Sequence, residues 1–433
     1  MATSLVICGL TCCLMILSVL FYPQISFRKI RIDSYWLITL IGAVFLFIFK
    51  QVDWSTFSSV LLSDDAINPL KILVLFISMT LLSIYLDHFG FFRYLANATL
   101  RRAHTSQTKL FLYLYLTVSI LTVFSSNDII ILSFTPFICF FAKNANINPL
   151  PYLAAEFVAA NTWSMALIIG NPTNIYLATA HNVAFLDYMK VMMLPTVAAG
   201  ITAFLLLYVM FRKQLQAPIS GKAEDIVIKD KMRLAIGLLH LGICTIILVI
   251  SSYIDVEMWK VAFFSALSLF LCASVVSALR GEVAVGLTAC LRRAPWQLIP
   301  FVLSMFVLTI SLKENGFTAL FADFLGERFP IASYGIASFF TANVINNIPM
   351  SVLFCSVIEN LPAVLQLKAM YASVIASNLG AFFSPIGALA GIMWMSILKD
   401  HGLHFGYGQF LKIGFSIALP TLVISLLVLQ LMF

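Results

Sequence analysis

Four consecutive polar residues, Ser125, Ser126, Asn127 and Asp128, interrupt a long stretch that is otherwise nearly all apolar. An ionised carboxylate near the middle of a bilayer costs roughly 2.5 to 3.5 kcal/mol on insertion scales, so such residues usually serve a function. Asp128 could bind an ion or a proton, or it could pair with a basic side chain. Because no Lys or Arg lies within a helical turn of it, the sequence favours ion or proton handling.

A second polar group, Asn343, Asn346 and Asn347, interrupts another apolar stretch at Thr341–Pro349. One interpretation is that these amides, like Asn127, satisfy backbone groups where the chain turns inside the membrane. The other is direct contact with a substrate or ion, because carbonyl oxygens and broken helix ends can coordinate both. The matching position of these residues in the two halves favours direct contact.

Two further apolar runs contain helix-breaking residues, at Gly170–Asn174 (GNPTN) and Ser384–Gly387 (SPIG). Gly and Pro this deep in a span free backbone groups, which is tolerated only where protein or a water-filled cavity satisfies them. Both runs are therefore expected to be discontinuous helices. The candidate binding residues at the two breaks are Asn171, Thr173, Asn174, Ser384 and Gly387, the last mainly as a backbone-shaping residue.

Three more polar residues precede these breaks. Asn161 and Asn378 could form hydrogen bonds between helices or line the site, and both interpretations stay open. Glu156 could reach the membrane interface with its head group, or it could carry protons together with Asp128.

The composition bounds the fold class. The chain has 433 residues, of which 61% are hydrophobic and only 10% are charged. This predicts an all-α integral membrane protein. The basic residues lie in short loops, so their placement, rather than the net charge of +7, indicates orientation in the membrane, and no nucleic-acid partner is expected. The eight cysteines show no metal-ligand spacing, and no metal site is expected.

The apolar runs predict about ten transmembrane helices, two re-entrant hairpins and two broken helices. The hairpins are expected at Leu110–Ala142, with its tip at Asn127 and Asp128, and at Tyr334–Ile358. The expected spans are Ser4–Tyr22, Tyr35–Lys50, Asn68–Phe89, the broken span from Pro151, Tyr188–Phe211, Leu234–Tyr253, Met258–Leu279, Gln297–Leu312, the broken span from Ala363, and Phe410–Met432.

The order of these elements repeats. A first repeat is predicted at 1–211, a cytoplasmic linker at 212–232 and a second repeat at 233–433. Asn161 and Asn378 lie 217 residues apart, as do Gly170 and Gly387. The basic loops place the N- and C-termini outside and make the two hairpins enter from opposite sides. An inverted-topology repeat with broken helices is the architecture of a secondary transporter.

The chain resembles the arsenical pump membrane protein (arsenite permease) family, within the ion transporter superfamily that has a citrate-transporter-like domain. The segments that carry this resemblance are Leu81–Ala96, Ser125–Pro136, Leu291–Phe301, Ala342–Pro349 and Lys368–Trp394. The resemblance places Asp128 at the acidic position of the first hairpin tip. Members of the arsenite branch tend to carry Asp where this chain has Asn161 and Asn378, which would leave coupling to Asp128 and Glu156.

We therefore expect a secondary active transporter that moves a small oxyanion or hydroxylated solute by alternating access. The resemblance favours efflux of arsenite or antimonite as the specific function. The alternatives are a sodium- or proton-coupled anion permease of the dicarboxylate or citrate type, or a sodium/proton antiporter. A membrane-embedded enzyme has only the weak signal of His401 and His404 (HGLH) in its favour.

The expected partners are the lipid bilayer of the cell membrane and the small substrate. A homodimer stays open, and the resemblance also permits a soluble ATPase partner. No cofactor is expected apart from the coupling ion, H⁺ or Na⁺.

Overall fold

The described residues of the first half form helices and one short pair of antiparallel strands. The computed structural model describes residues 2–22, 24–27, 30–64, 68–103, 106–219, 228, 230–251, 254–282, 285–403 and 405–433. The elements of the first half are α1 Ala2–Phe21, β1 Gln24–Phe27, β2 Ile30–Asp33, α2 Ser34–Ile48, α3 Trp54–Leu62, α4 Pro69–His88, α5 Phe91–Ala103, α6 Gln107–Phe124, α7 Asn127–Asn144, α8 Leu150–Trp163, α9 Pro172–Ala180 and α10 Phe185–Phe211.

The second half repeats this order. Its elements are α11 Lys231–Ile250, α12 Met258–Leu279, α13 Val285–Arg293, α14 Leu298–Glu314, α15 Phe317–Leu325, α16 Pro330–Ile345, α17 Asn347–Ile358, α18 Ala363–Gly380, α19 Leu389–Asp400 and α20 Tyr407–Met432. The hairpins predicted from the sequence are α6–α7 and α16–α17, and the broken helices are α8–α9 and α18–α19. The all-α membrane fold is confirmed, and the antiparallel pair β1–β2 is an addition that the sequence did not predict.

Seven helical segments among the described residues are long and apolar enough to cross a membrane. They are Pro69–His88, Gln107–Phe124, Phe185–Phe211, Lys231–Ile250, Met258–Leu279, Gly286–Glu314 and Tyr407–Met432. Six of these segments match predicted spans, and Gln107–Phe124 is the first arm of the predicted first hairpin. Of the other predicted spans, α2 is a shorter helix and two are broken into two pieces. The seven segments differ in burial. In α4, 78% of the apolar stretch is buried inside the protein, but in α11 only 28% is buried. The helix α4 therefore lies at the centre and α11 at the lipid-facing periphery.

The packing exchanges elements between the halves in matching pairs. The helix α2 packs on α14, and its counterpart α12 packs on α4. The hairpin arm α7 packs on α19 of the other broken helix, and α17 packs on α9 in the same way. This reciprocal pattern is what an inverted repeat produces, because each contact has a partner in which the two repeats have changed places.

The boundary between repeats stays a prediction. Within the predicted linker 212–232, residues 220–227 and 229 lie outside the described residues, as does His404 of the HGLH motif. The helix α10 ends at Phe211 and α11 begins at Lys231, close to the predicted bounds.

Candidate functional site

The first hairpin turns at two serines rather than at Asn127 and Asp128. The helix α6 ends at Phe124, Ser125 and Ser126 are extended, and α7 begins at Asn127. Asp128 thus lies in the first turn of α7, where backbone N–H groups have no partner within the helix and the helix dipole is positive. The carboxylate is half-buried, while Ser125, Ser126 and Asn127 are buried.

Two oxygens beside Asp128 accept no hydrogen bond from the described protein atoms. They are the buried side-chain oxygens of Ser126 and Asn127. The amide nitrogen of Asn127 donates to Oδ1 of Asn161 at 3.0 Å, which fixes the orientation of the Asn127 amide. Buried polar atoms are nearly always hydrogen-bonded. The unpaired oxygens next to a carboxylate therefore mark a polar corner suited to a hydroxylated solute, a cation or a proton carrier.

The second hairpin turns at Asn346, which has a positive φ of 77°. Its amide nitrogen donates to the Ile386 carbonyl at 2.9 Å, and the backbone N–H of Asn347 donates to the Gly387 carbonyl at 3.0 Å. Backbone carbonyls of the second break thus hold the tip of this hairpin in place. Its first helical turn carries Ile348 where the first hairpin carries Asp128, since both follow the Asn that begins the second arm.

Asn343 lies in the last turn of α16, before the tip rather than in it. Its Oδ1 accepts a hydrogen bond from the Ser384 hydroxyl at 2.6 Å, and its amide nitrogen donates to the Phe339 carbonyl at 2.9 Å. A Cβ at Gly387 would collide with the Gly380 carbonyl and the Asn343 amide oxygen. Only glycine therefore permits the second break to approach α16 this closely.

The first broken helix unwinds through two short 3-10 turns, Ser164–Ala166 and Ile168–Gly170, before α9 begins. A Cβ at Gly170 would overlap the Ser164 carbonyl, so this close approach also needs glycine. Asn171 caps α9, its Oδ1 accepting from the Thr173 N–H at 3.2 Å. The helix α9 can therefore restart within the membrane without leaving its first donors unpaired.

Asn378 of the second repeat closes the first break. Its amide nitrogen donates to Oδ1 of Asn174 at 2.7 Å, and its Oδ1 accepts from Asn171 at 3.0 Å and from the Ser164 hydroxyl at 2.8 Å. We call Ser164, Asn171, Asn174 and Asn378 the amide cluster. Next to it, the Thr173 and Ser377 hydroxyls lie 2.8 Å apart. All of these residues are buried, so the hydrogen bonds are shielded from water.

The second break has no such cluster. The 217-residue spacing that relates Asn161 to Asn378 also relates Asn171 to Ala388, Thr173 to Ala390, and Asn174 to Gly391. Asn161 therefore finds no amides across the repeats. Instead it bonds to Asn127 of the first hairpin tip and to the Phe157 carbonyl, at 3.0 and 2.8 Å.

Glu156 is fully buried, so the interpretation that it reaches the membrane interface is wrong. Its carboxylate accepts from the Thr135 hydroxyl at 3.1 and 3.2 Å and from Nε1 of Trp394 at 3.3 Å. Trp394 lies on α19, and its ring is 4.9 Å from that of Phe157. Glu156 thus connects the first hairpin to the second broken helix.

The sequence alone did not identify four residues that complete these contacts: Thr135, Ser164, Ser377 and Trp394. Ser164 and Ser377 could have been found from their place beside the breaks, since hydroxyls near broken helices usually satisfy freed groups. Trp394 gave no signal, because its contact with Glu156 joins residues 238 positions apart.

The charge of the buried region is one-sided. Among the described residues, the buried polar and charged side chains include Glu156 and many amides and hydroxyls, but no Lys or Arg. The same residues contain no group of three His, Cys, Asp or Glu side chains that could hold a metal ion. A bound solute would therefore meet neutral donors, helix ends and acids rather than a fixed cation.

Comparisons with known proteins agree with this architecture. The chain is 27% identical over 375 residues to the arsenical pump membrane protein of Escherichia coli (strain K12), which covers 82% of this chain and 85% of that protein. It is 22% identical over 373 residues to a putative arsenical pump membrane protein of Bacillus subtilis (strain 168), covering 78% and 82% of the two chains.

The crystal structure of the Alcanivorax borkumensis YdaH transporter has a similar fold, with a TM-score of 0.56 at 13% identity over 99% of this chain and 97% of that one. The family model for the citrate transporter, CitMHS, matches residues 10–373. These matches establish a multi-pass membrane transporter rather than an enzyme. The chain belongs to the citrate transporter (CitMHS) family.

Proposed function

We propose that this transporter exports arsenite or antimonite across the cell membrane by alternating access. The observation that carries the proposal is the composition of the buried region: the acid Glu156, amides and hydroxyls without a buried Lys or Arg among the described residues. Trivalent arsenic and antimony are uncharged hydroxides in neutral water, and they need hydrogen-bond partners rather than a counter-ion. The relatives named as arsenical pumps support the same substrate class.

Protons are the proposed coupling ion, with Asp128 and Glu156 as their carriers. Both are carboxylates within the membrane region, and each lies on or beside the first hairpin. Asp128 lies beside two unpaired oxygens, where solute and proton can compete for the same polar corner. Glu156 contacts both repeats, so a change in its protonation would act on their contact.

A second candidate is a sodium- or proton-coupled anion permease of the citrate or dicarboxylate type. The family name favours it, as does the N-terminus of α7, because the N–H groups at helix ends attract anions. A sodium/proton antiporter would use the same carboxylates without an organic solute.

Export assays separate these candidates. In a bacterial strain that lacks its own arsenite exporter, we expect expression of the chain to raise arsenite tolerance. Everted membrane vesicles should then accumulate arsenite when a proton gradient is imposed. Unchanged tolerance, together with sodium-dependent citrate or succinate uptake, would exclude arsenite export in favour of the permease. Sodium/proton exchange without either solute would identify the antiporter.

A further inference from the structure

The C-terminal ends of α4 and α14 are equivalent positions in the two repeats. Asp87 lies three residues before Gly90, and Lys313 lies three residues before Gly316. Both glycines have positive φ, 80° and 76°, and each is followed at once by a short helix, α5 or α15. Because the repeats are inverted, Asp87 and Lys313 lie at opposite ends of the fold.

The C-terminal ends of the second hairpin arms also match. The segment Cys139–Asn144 (CFFAKN) ends α7, and Cys355–Asn360 (CSVIEN) ends α17, so Lys143 corresponds to Glu359. The helix α7 packs on α4, and α17 packs on α14. Each repeat thus has an acid and a base at the same two positions, but their order is exchanged: Asp87 with Lys143, and Lys313 with Glu359.

Only one of these two pairs is formed. Lys313 Nζ lies 2.5 Å from Glu359 Oε2. In the first repeat, Asp87 instead accepts hydrogen bonds from Arg293 at 2.5 Å and from the Ser133 hydroxyl at 2.6 Å. Lys143 is exposed and makes no ion pair with any acid in the part of the chain that the structure describes.

We propose that the two pairs form alternately during transport. In the opposite state, Asp87 leaves Arg293 and Ser133 and binds Lys143, while Lys313 and Glu359 separate. This inference rests on the proposed alternating access, in which one repeat or bundle moves against the other around the site. The first repeat would then adopt the arrangement that the second repeat has now.

The contact with Ser133 connects this exchange to the candidate site. Ser133 lies on α7 five residues after Asp128, and its hydroxyl, which has one hydrogen to share, also lies 2.8 Å from the Ile129 carbonyl. Release of Asp87 from Ser133 therefore frees the arm that carries Asp128. Arg293 on α13 provides the alternative partner that keeps the charge of Asp87 compensated while Lys143 is unpaired.

Cross-linking in membranes tests the exchange without requiring a known substrate. We would introduce four cysteines into the full-length chain, as Asp87→Cys, Lys143→Cys, Lys313→Cys and Glu359→Cys, and treat them with a short bifunctional thiol reagent. A reagent is needed because an extended Lys–Glu pair can hold its backbones further apart than a disulfide allows. Peptide mass spectrometry would identify the linked residues, with the wild-type chain as control for the native cysteines.

We expect the 313–359 link to form in most molecules and the 87–143 link in a minority, and we expect intact-protein mass spectrometry to find no molecule that carries both links. Both links in the same molecule would overturn the proposal, as would an 87–143 link that never forms under any gradient or solute. If the links exclude each other but no arsenite moves, the exchange stands and the proposed substrate fails.

Charge variants give a second, functional test. Lys143→Glu places two acids at the first pair, so transport should fall several-fold while the protein still inserts. The triple variant Asp87→Lys/Lys143→Glu/Arg293→Glu, which reverses the charge of both partners of residue 87, should recover part of the activity. Lys109→Glu is the matched control, since Lys109 is an exposed base on the other arm of the same hairpin. An effect of Lys109→Glu equal to that of Lys143→Glu would show that only the surface charge matters, and would overturn the pairing.

Discussion

The two broken helices hold equivalent places in the two repeats but differ in chemistry. The first break is closed by side chains, through the amide cluster of Ser164, Asn171, Asn174 and Asn378. The second break is held mainly by backbone carbonyls of Ile386 and Gly387 against the second hairpin tip. Asn161, the counterpart of Asn378, is left to bond with Asn127 beside the unpaired oxygens.

This difference indicates that the two halves of an inverted repeat can share an architecture and yet carry different functional groups. Duplication of the backbone requires only that each broken helix satisfies its freed groups. Because neutral amides close the first break, Asp128 and the unpaired oxygens can be concentrated at the tip of the first hairpin. The repeat therefore preserves the order of the elements, while we propose that binding and coupling depend mainly on the first hairpin.

The largest expected effect concerns the two hairpin tips. Asp128→Asn should reduce arsenite efflux from vesicles to the background of empty membranes, because the amide can neither carry a proton nor balance a cation. Ile348→Asn, at the matching position of the second tip, should leave most of the activity if binding is concentrated at the first tip. Size-exclusion profiles of both variants would verify folding. Wild-type efflux by Asp128→Asn would remove the proposed asymmetry.

The next effect concerns coupling through Glu156. Glu156→Gln keeps a carbonyl acceptor for Trp394 but removes the titratable group, so we expect slower transport with a flattened pH dependence. Trp394→Phe keeps the acid and the ring packing but loses the Nε1–H donor. It should shift the pH profile without flattening it. A pH profile of Glu156→Gln that follows wild type would assign coupling to Asp128 alone.

The two equivalent asparagines should differ in stability. Asn378→Ala removes the partner of the Asn171 amide nitrogen and of the Asn174 amide oxygen, whereas the Ser164 hydroxyl keeps the Asn161 carbonyl. Each buried group that stays unsatisfied costs about 1–3 kcal/mol. Asn161→Ala removes fewer side-chain contacts and should lower the melting temperature in detergent by less, while reducing transport more. Equal melting temperatures would show that the amide cluster does not stabilise the first break.

The smallest effect is expected at an ion-pair cluster away from both breaks. Partial burial alone would raise the pKa of Glu257, but hydrogen bonds from Lys260 and Lys71 outweigh it and hold the pKa at about 2, below the ordinary 4.5. A lowered pKa means that the carboxylate stabilises the fold above about pH 4.5 and loses this contribution as the pH falls toward 2.

Glu257→Gln should therefore reduce the free energy of unfolding at neutral pH by about 0.2–1 kcal/mol, the amount typical of exposed ion pairs. The melting temperature should fall slightly as a result. The difference from wild type should disappear in acid, and transport should not change. A large loss of transport would mean that the ion pairs of Glu257 take part in the transport cycle.

Much of the fold could be predicted from the sequence because its signals are local. Apolar runs near 20 residues define spans, and GNPTN and SPIG mark breaks because Gly and Pro release backbone groups wherever they occur. The turn positions were less exact. The first tip lies at Ser125 and Ser126, and Asn343 lies in α16, because serine and asparagine can either cap a helix or continue it.

By itself, the sequence determined a polytopic membrane protein with two hairpins, two breaks and an acid at one tip, since each follows from the cost of polar groups in lipid. The tertiary structure decided which amide closes which break. Asn378 contacts Asn171 across 207 residues, and Trp394 reaches Glu156 across 238. No local pattern encodes such contacts, because they depend on how the inverted repeats pack against each other.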